Sequence, residues 1–347
     1  MSSDISSTKE SPRQKRSKRS FVIAARLITA VVSLLGVEAM CWFLGYPVWW
    51  AMDPSWGAAA AGYEADPELG WALRPGRWDL VWTGLRDDPV LNTNWSHGQR
   101  ATAERKPAQD AANRPRVLFF GDSYVQGYGL ADWETLPWIV QKRHPEVQVS
   151  NFGAGSYGTY QCYLSLKRQV HEPSSVYYVF NGFQEVRNAA DRSWLRIMKK
   201  PPAGWFYPYA VNSGGQLQAR RAEGNLVWSL SRRWRTAAMV QEYTEIFESY
   251  LRVRNKRKLT EMLLIEMSEI VRATGGKFTV ILFDLQPEER ADYRRFFESQ
   301  GINFVDCERP ELQNQSYRLP DRHPNQKLNA LLAEWIEPLQ TVGRSRE

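Results

Sequence analysis

The sequence has few of the residues that build metal sites or disulfide bonds. It contains three cysteines and four histidines among 347 residues, and no CxxC pair or His/Cys cluster suggests a zinc site. Cys41 falls within an apolar run, which leaves Cys162 and Cys307 as the only pair that could form a disulfide in a soluble domain. Nothing in their spacing demands a bond, and we expect two separate buried thiols.

A long segment near the amino terminus lacks basic residues. From Leu27 to Leu44 there is no lysine or arginine, and Glu38 is the one acidic residue. The surrounding apolar run, residues 21–46, is long enough to cross a bilayer. It is longer than the hydrophobic region of a usual signal peptide, and no small-residue cleavage site follows it closely. We therefore predict an uncleaved transmembrane helix, in which Glu38 either contacts a partner or is a carboxyl tolerated near the interface.

The net charge of +7 is unevenly distributed. Much of the excess lies in a serine-rich tail, residues 1–20, in the block Arg13, Lys15, Arg16, Lys18 and Arg19. Such a block stays in the cytoplasm, and the far interface is marked by the aromatic residues Trp42, Tyr46, Trp49 and Trp50. We predict a single-pass protein of the inner (cell) membrane, with a cytoplasmic amino terminus and a periplasmic, extracytoplasmic domain. No nucleic-acid partner is expected, because the basic block has no aromatic interleaving.

Residues 47–113, called the lead-in below, are rich in tryptophan, glycine and proline. Weak period-two patches around Trp78 to Trp82 indicate irregular or short-stranded structure. The tryptophans could stack on sugar rings, but hydrophobic contact with the domain behind them is the more common role.

From residue 114 to about residue 342 the pattern alternates between strands and helices. This alternation predicts an α/β domain with a mostly parallel sheet covered on both faces. The predicted strands are residues 116–120, 147–152, 176–180, 277–285 and 302–307. The predicted helices are residues 133–143, 161–170, 236–273 and 326–339.

An insertion at about residues 188–235 interrupts the alternation. It carries a turn signal, NSGG, from Asn212 to Gly215, which predicts a hairpin. Long insertions in such domains lie where substrates are met, so the hairpin is either a substrate lid or a flap without a functional role.

The first predicted strand of this domain runs directly into Gly121, Asp122 and Ser123. Open α/β sheets bind ligands at the carboxyl ends of their strands, so the Ser123 hydroxyl is at a favourable position. A phosphate-binding loop is the rival for a glycine-rich turn, but a lysine followed by serine or threonine is missing, and the glycine spacing fits no dinucleotide-binding motif.

A serine hydroxyl becomes an effective nucleophile when a base takes its proton, and histidine is the usual base near neutral pH. Among the four histidines only His323 follows a predicted strand with a carboxylate close by, at Asp321. Asp321 can hold the imidazole in the tautomer that presents a lone pair to Ser123. We predict that Ser123, His323 and Asp321 act together.

Acyl transfer also requires donors where negative charge develops on oxygen. After the second strand, NFGAGSYGTYQ offers backbone N–H groups of Gly153, Gly155 or Ser156. After the third strand, FNGFQEVRN offers the amides of Asn181 and Gln184. Ordinary turn chemistry is the alternative for both loops.

Taken in order, these blocks resemble the SGNH (GDSL-type) hydrolase family, particularly its membrane-anchored bacterial members. The resemblance covers Arg116 to Leu339, and DPELGWALRPG in the lead-in is also similar to those members. It implies a three-layer α/β/α sandwich with a flavodoxin-like, five-stranded, mainly parallel sheet, and no metal or organic cofactor. It also implies Ser123 as nucleophile and, through its N–H, as an oxyanion donor.

The later blocks depart from the family pattern. The place of the second-block glycine is held by Ser156, with Gly155 before it. The third block, normally GxND, aligns with residues 182–185, so that Gln184 replaces the asparagine whose amide contacts the oxyanion and Asn181 is the alternative donor. The last block matches the DxHxN form, with Asp321, His323 and Asn325.

The resemblance and the predicted location together imply a serine esterase or O-acyltransferase. The expected substrates are ester groups, chiefly acetyl, on cell-envelope or exported polysaccharide. Two alternatives stay open: a lipid esterase of lysophospholipase type, and a non-catalytic envelope protein of the same fold that binds glycan or a partner complex.

Overall fold

A computed structural model describes residues 12–48, 62–82, 84–106, 114–197, 205–222, 229–337 and 339. Trp49 and Trp50 lie outside these residues, as do residues 1–11 and the side chains of residues 12–18. The chain divides into two compact units: Met1–Asp53 with Leu226–Ile246, and Pro54–Asn225 with Phe247–Glu347.

The described strands and helices alternate over the larger part of the chain. The strands are β1 (Tyr63–Asp66), β2 (Gly70–Leu73), β3 (Gly76–Leu80), β4 (Val90–Trp95), β5 (Gln99–Arg100), β6 (Arg116–Phe120), β7 (Gln148–Asn151), β8 (Ser175–Phe180), β9 (Tyr207–Ser213), β10 (Gln216–Ala222), β11 (Lys277–Leu282) and β12 (Asn303–Asp306). The α-helices are α1 (Pro12–Phe43), α2 (Ser123–Gln126), α3 (Leu136–Arg143), α4 (Thr159–Gln169), α5 (Phe183–Asn188), α6 (Arg192–Ile197), α7 (Arg235–Val253), α8 (Lys256–Ala273), α9 (Pro287–Gln300) and α10 (Gln326–Trp335).

One mixed sheet organises the second unit. Its eight strands have the order β12-β11-β8-β6-β7-β5-β4-β3. The first five strands in this order are parallel, and β5, β4 and β3 continue the sheet with antiparallel pairing. The predicted α/β class is confirmed, but the sheet has three strands beyond the predicted five. All three come from the lead-in, where β5 is only two residues long and its pattern is therefore too short to read.

The central strand β6 is buried on both faces. Val117 and Phe119 belong to one hydrophobic core, which includes Leu136 of α3 and Leu328 of α10. Leu118 and Phe120 belong to the other core, which side chains of α4, α8 and α9 complete. This double burial gives three layers, helices on either side of the sheet, and explains the unbroken apolar run RVLFF. Burying each such side chain stabilises the fold by about 1.5–3 kcal/mol.

The insertion contains the predicted hairpin. Strands β9 and β10 pair in antiparallel register from Ser213 and Gln216, and Gly214 and Gly215 form the turn with positive φ angles of 61° and 89°. Two consecutive residues with positive φ are typical of the tight turn that matches strand twist. The base of the hairpin joins the core through Tyr207, while Gln216 and Arg220 are exposed.

The predicted helix of residues 236–273 is two helices, α7 and α8, separated at Arg254 and Asn255. The apolar periodicity continues through both, so it does not reveal the break.

All three cysteines are buried and free. Cys162 packs in the core on one face of the sheet and Cys307 in the core on the other face. The expectation of two separate thiols is therefore confirmed.

The first unit contains α1 and the described residues 229–246. The part of α1 from Arg19 to Phe43 is long and apolar enough to cross a membrane, and its large apolar side chains are exposed.

Candidate active site

Ser123 is the first residue of α2, immediately after the tight turn that ends β6. The Asp122 carboxylate caps this helix by accepting a hydrogen bond of 3.0 Å from the Tyr124 N–H. A Cβ atom at Gly121 would lie 2.4 Å from Cγ2 of Val125, so only glycine allows the strand and helix to approach so closely. Ser123 is 7% exposed, so it is buried together with the rest of this turn.

The structure places His323 and Asp321 in line with Ser123. The distance from His323 Nε2 to Ser123 Oγ is 2.8 Å. The distance from His323 Nδ1 to Asp321 Oδ2 is also 2.8 Å, and the His323 backbone N–H donates to Asp321 Oδ1 at 3.1 Å. With the proton on Nδ1 shared with Asp321, the lone pair of Nε2 faces the serine hydroxyl.

The backbone of Arg322 makes the one-residue spacing of this pair possible. Arg322 has φ 72°, a left-handed conformation that is unusual for an L-residue with a side chain. The turn is closed by hydrogen bonds of 2.8 Å from the Leu319 N–H to the His323 carbonyl and from the Arg322 N–H to the Leu319 carbonyl. Asn325 then caps α10 by accepting from the N–H groups of Lys327 and Leu328. Within the sequence DRHPN, Asp321 thus holds the His323 imidazole, and Asn325 caps the helix that follows.

Two tyrosines flank the imidazole. The Tyr128 ring stacks on His323 with 4.7 Å between centroids, and Tyr124 meets it edge-on at 5.3 Å. Burial raises the pKa of both hydroxyls above the usual value, so both tyrosines are neutral near neutral pH. They therefore restrict the imidazole by contact and not by charge.

Asp321 is held in its ionised form. Partial burial alone would raise the pKa of its carboxyl, but the hydrogen bonds from the His323 side chain and backbone, with the attraction of the imidazole, outweigh burial. The net effect is a pKa below the ordinary value for aspartate. A carboxylate at this position can orient the imidazole and stabilise an imidazolium that forms during a reaction.

The loop after β7 lies against the turn that carries Ser123. The Ala154 N–H donates to the Gly121 carbonyl at 3.2 Å, and a Cβ atom at Gly153 would lie 2.4 Å from the backbone nitrogen of Gln126. Ser156 has φ 70°, so its peptide plane is turned relative to that of an extended residue. The loop can therefore present a backbone donor beside Ser123.

The Gly155 N–H, expected among the oxyanion donors, has another partner in this structure. It donates to the hydroxyl of Tyr63 at 3.1 Å, and that hydroxyl donates to Gln126 Oε1 at 2.7 Å. The Gly155 carbonyl accepts from the Trp71 indole at 3.1 Å. Gly155 is thus fixed by two residues of the lead-in, and its N–H is already used within the protein.

The amides of Asn181 and Gln184, also expected to face the oxyanion, instead donate to Asp122. Their nitrogens lie 3.0 Å and 3.2 Å from Asp122 Oδ2. The Arg187 guanidinium joins them at 2.7 Å and also donates to the Tyr157 carbonyl. Each amide thus uses one N–H on a buried carboxylate, and its second N–H remains for a substrate, so the role of these amides as oxyanion donors stays a prediction.

Sequence reasoning missed four residues that shape this site, namely Tyr63, Trp71, Tyr128 and Arg187. Tyr128 stands in the same block as Ser123, and Arg187 follows the third block, so both were visible as neighbours of predicted site residues. Tyr63 is 92 positions from Gly155, and only the folded chain brings the two together.

The described residues contain no group of three or more His, Cys, Asp or Glu side chains that could hold a metal ion.

No protein-family model and no curated protein matches the sequence. The chain has a remote similarity to several solved structures. A member of the lipolytic G-D-S-L family from Veillonella parvula is 12% identical, with 64% of this chain and 95% of that chain covered and a TM-score of 0.38. The esterase EstA from a Pseudoalteromonas species is 11% identical, with 65% of this chain and 96% of that chain covered and a TM-score of 0.40. TesA is 14% identical, with 65% of this chain and 97% of that chain covered and a TM-score of 0.39. At these values, the resemblance to SGNH hydrolases rests on this chain's own motifs and on the geometry of Ser123, His323 and Asp321.

Proposed function

We propose that this chain is a membrane-anchored serine esterase or O-acyltransferase, acting on ester groups of cell-envelope or exported polysaccharide. The observation that carries the proposal is the continuous chain of hydrogen bonds from Ser123 Oγ through His323 to Asp321, with 2.8 Å at each step. This is the arrangement that activates a serine for attack on a carbonyl carbon.

The geometry supports a two-step reaction. Ser123 Oγ bonds to the ester carbonyl carbon while its proton moves to His323 Nε2, and Asp321 stabilises the resulting imidazolium. The N–H of Ser123 has no partner within its own helix, because it belongs to the first turn. It can stabilise the oxyanion together with the backbone of Ser156. Collapse of the intermediate expels the alcohol, which takes the proton from His323 and leaves an acyl-serine.

The second step regenerates the serine. Water or a sugar hydroxyl gives its proton to His323 Nε2 and attacks the acyl-serine carbon. The bond from Ser123 Oγ to that carbon then breaks, Oγ takes the proton back from His323 Nε2, and an acid or a new ester is released. Water gives esterase activity, and a sugar hydroxyl gives acyl transfer. Polysaccharide outside the cytoplasm is the proposed substrate because the basic block before α1 favours an extracytoplasmic domain.

Two observations favour other candidates. The exposed apolar surface of α1 is suited to a bilayer, so lipid esters would be available to a tethered enzyme. The engagement of Gly155, Asn181 and Gln184 by other partners reduces the number of free oxyanion donors, as expected of a non-catalytic protein that binds glycan or a partner complex.

Ester turnover by the full chain in detergent tests the proposal. With p-nitrophenyl acetate, Ser123→Ala and His323→Ala should each lower the rate by about 10² or more, because each removes a group that acts in the transition state. Ser299→Ala and His171→Ala are matched controls, since both side chains are exposed and their hydrogen bonds are to groups within three positions of them in the sequence. Equal turnover by Ser123→Ala and the unmodified chain would remove Ser123 from the mechanism.

The substrate class is tested with the same variants. Acetate release from an acetylated polysaccharide that depends on Ser123, with slower reaction on a lysophospholipid, supports the polysaccharide assignment. The reverse order of rates would favour the lipid esterase.

A further inference from the structure

Four exposed apolar side chains mark the segment that enters α7. Besides Leu230, which is 60% exposed, they are Trp234, Val240, Tyr243 and Ile246, called the apolar stripe below, and these four are between 41% and 65% exposed. Residues three apart on a helix lie on the same side, so Val240, Tyr243 and Ile246 form one continuous strip. Surfaces of this kind mark an interaction site more often than single exposed apolar residues do.

The start of α7 is attached to α1 through Glu38. The Glu38 carboxylate accepts hydrogen bonds of 2.8 Å from the N–H groups of Arg235 and Thr236, and one of 2.7 Å from the Thr236 hydroxyl. The Tyr46 hydroxyl also donates a hydrogen bond to the Glu242 carboxylate. Because a helix amino terminus carries unsatisfied N–H groups and a partial positive charge, it is a favourable partner for a carboxylate.

This attachment determines the depth of the apolar stripe relative to α1. Glu38 precedes Phe43, the last residue of α1, by five positions, which is about 7.5 Å along the axis at 1.5 Å per residue. Helices that lie in the plane of a membrane bury their apolar face about 5–10 Å into the boundary between headgroups and acyl chains. The first turn of α7 is therefore at the depth of an interfacial helix, if α1 spans the bilayer.

The composition of the segment agrees with that depth. Tryptophan and tyrosine combine an apolar ring with a polar tip and concentrate at membrane interfaces. Arg232 and Arg233 are exposed immediately before Trp234, where their guanidinium groups can meet anionic headgroups. The glutamates of this part of α7, Glu242 and Glu245, are only partly exposed.

We infer that residues 230–246 form a second membrane contact, in which the apolar stripe lies in the outer interface of an anionic bilayer and Glu38 fixes the helix to the membrane span. The inference rests on the proposed membrane anchoring and adds a surface to it. The inference also assigns a role to Glu38. Its carboxylate caps the amino terminus of α7, an interfacial helix that begins 197 positions later in the sequence.

Site-specific fluorescence in vesicles tests the inference. The full chain is reconstituted into phosphatidylcholine and phosphatidylglycerol vesicles that contain nitroxide-labelled lipid, with one environment-sensitive thiol probe at Tyr243→Cys, Glu248→Cys or Val31→Cys. The native cysteines are buried, so the unsubstituted chain measures the background. Glu248 is exposed and lies about 140° around α7 from Tyr243, at 100° per residue.

The expected result is strong quenching by shallow nitroxides at position 243, little at position 248, and quenching by deep nitroxides at position 31. Equal and weak quenching at 243 and 248, with position 31 quenched, would overturn the inference while leaving the anchor in place. A probe at 243 that is shielded from aqueous iodide but not quenched by labelled lipid would also overturn it, because a second copy or another protein would then cover the stripe. Loss of quenching at position 31 would instead contradict the anchor itself.

Discussion

Among single residues, Asp122 connects the turn that carries Ser123 to the third block. Its carboxylate is fully buried and accepts hydrogen bonds from Tyr124, Asn181, Gln184 and Arg187. A buried carboxylate requires such partners because transfer of an unpaired charge out of water is costly. The amides of the third block therefore stabilise the turn that presents Ser123.

The ion pair between Arg187 and Asp122 gives a prediction about stability. Arg187→Met removes the one positive charge bonded to Asp122 and should lower the free energy of unfolding by about 3 kcal/mol, since an uncompensated buried charge remains. Urea unfolding of the full chain in detergent, followed by fluorescence, measures the loss. Arg220→Met is the control, because Arg220 is exposed on the hairpin. Indistinguishable midpoints for the two variants would show that the pair contributes nothing.

Some residues of the site can be predicted from the sequence, and others cannot. Ser123, Asp321 and His323 stand out because each is polar, follows an apolar strand and has a chemical partner that its type requires. Arg187 does not stand out, since an arginine in a short polar helix is normally on the surface. Its burial depends on Asp122 and on the Trp194 ring, which lies 4.6 Å from the guanidinium carbon.

At the scale of elements, two short turns bring the site together, and both depend on particular backbone conformations. One is the turn at Arg322, which has a left-handed backbone conformation. The other is the loop after β7, which lies close to the backbone of α2. The second approach depends on glycine, because Gly153 has no room for a side chain next to Gln126.

Gly153→Ala should therefore damage both stability and turnover. The new methyl group would lie 2.4 Å from a backbone nitrogen and 2.7 Å from a backbone carbon, neither of which can move freely. We expect a loss of about 1–3 kcal/mol, as for other overpacked sites, and slower hydrolysis of p-nitrophenyl acetate. Gly62→Ala is the matched control, since its nearest neighbour would be a side-chain atom at 3.8 Å. An alanine at 153 that melts and turns over like the control would contradict this account of the loop.

The lead-in is the element least predictable from its sequence. Its strands β3, β4 and β5 extend the main sheet, and its Tyr63 and Trp71 fix Gly155. The tryptophans were expected to pack against the domain, and Trp71 does so, stacked on Trp205 at 5.7 Å. The sequence indicated only irregular or short-stranded structure here, because antiparallel edge strands of two to six residues have too few alternations to give a clear periodic signal.

Across the whole molecule, composition alone separates an apolar segment, predicted to span a membrane, from an α/β domain. The apolar run and the alternating pattern that follows it are long, and long patterns average out local exceptions. The boundaries at residues 20, 46, 113 and 342 remain predictions.

The orientation of the chain in the membrane can be measured directly. In intact spheroplasts, an amino-terminal tag should resist added protease and a carboxyl-terminal tag should be removed, because the basic block keeps the amino terminus inside. The mature chain should also retain its full mass, as expected for an uncleaved anchor. A shortened chain released from the membrane would instead favour the signal peptide.

Labelling with a fluorophosphonate probe tests whether His323 activates Ser123. The full chain should form one covalent adduct, located on Ser123 by mass spectrometry of the labelled peptide. Labelling should fall sharply in His323→Ala and remain in His171→Ala. No adduct on Ser123 in the unsubstituted chain, or equal labelling with and without the His323 imidazole, would contradict this activation.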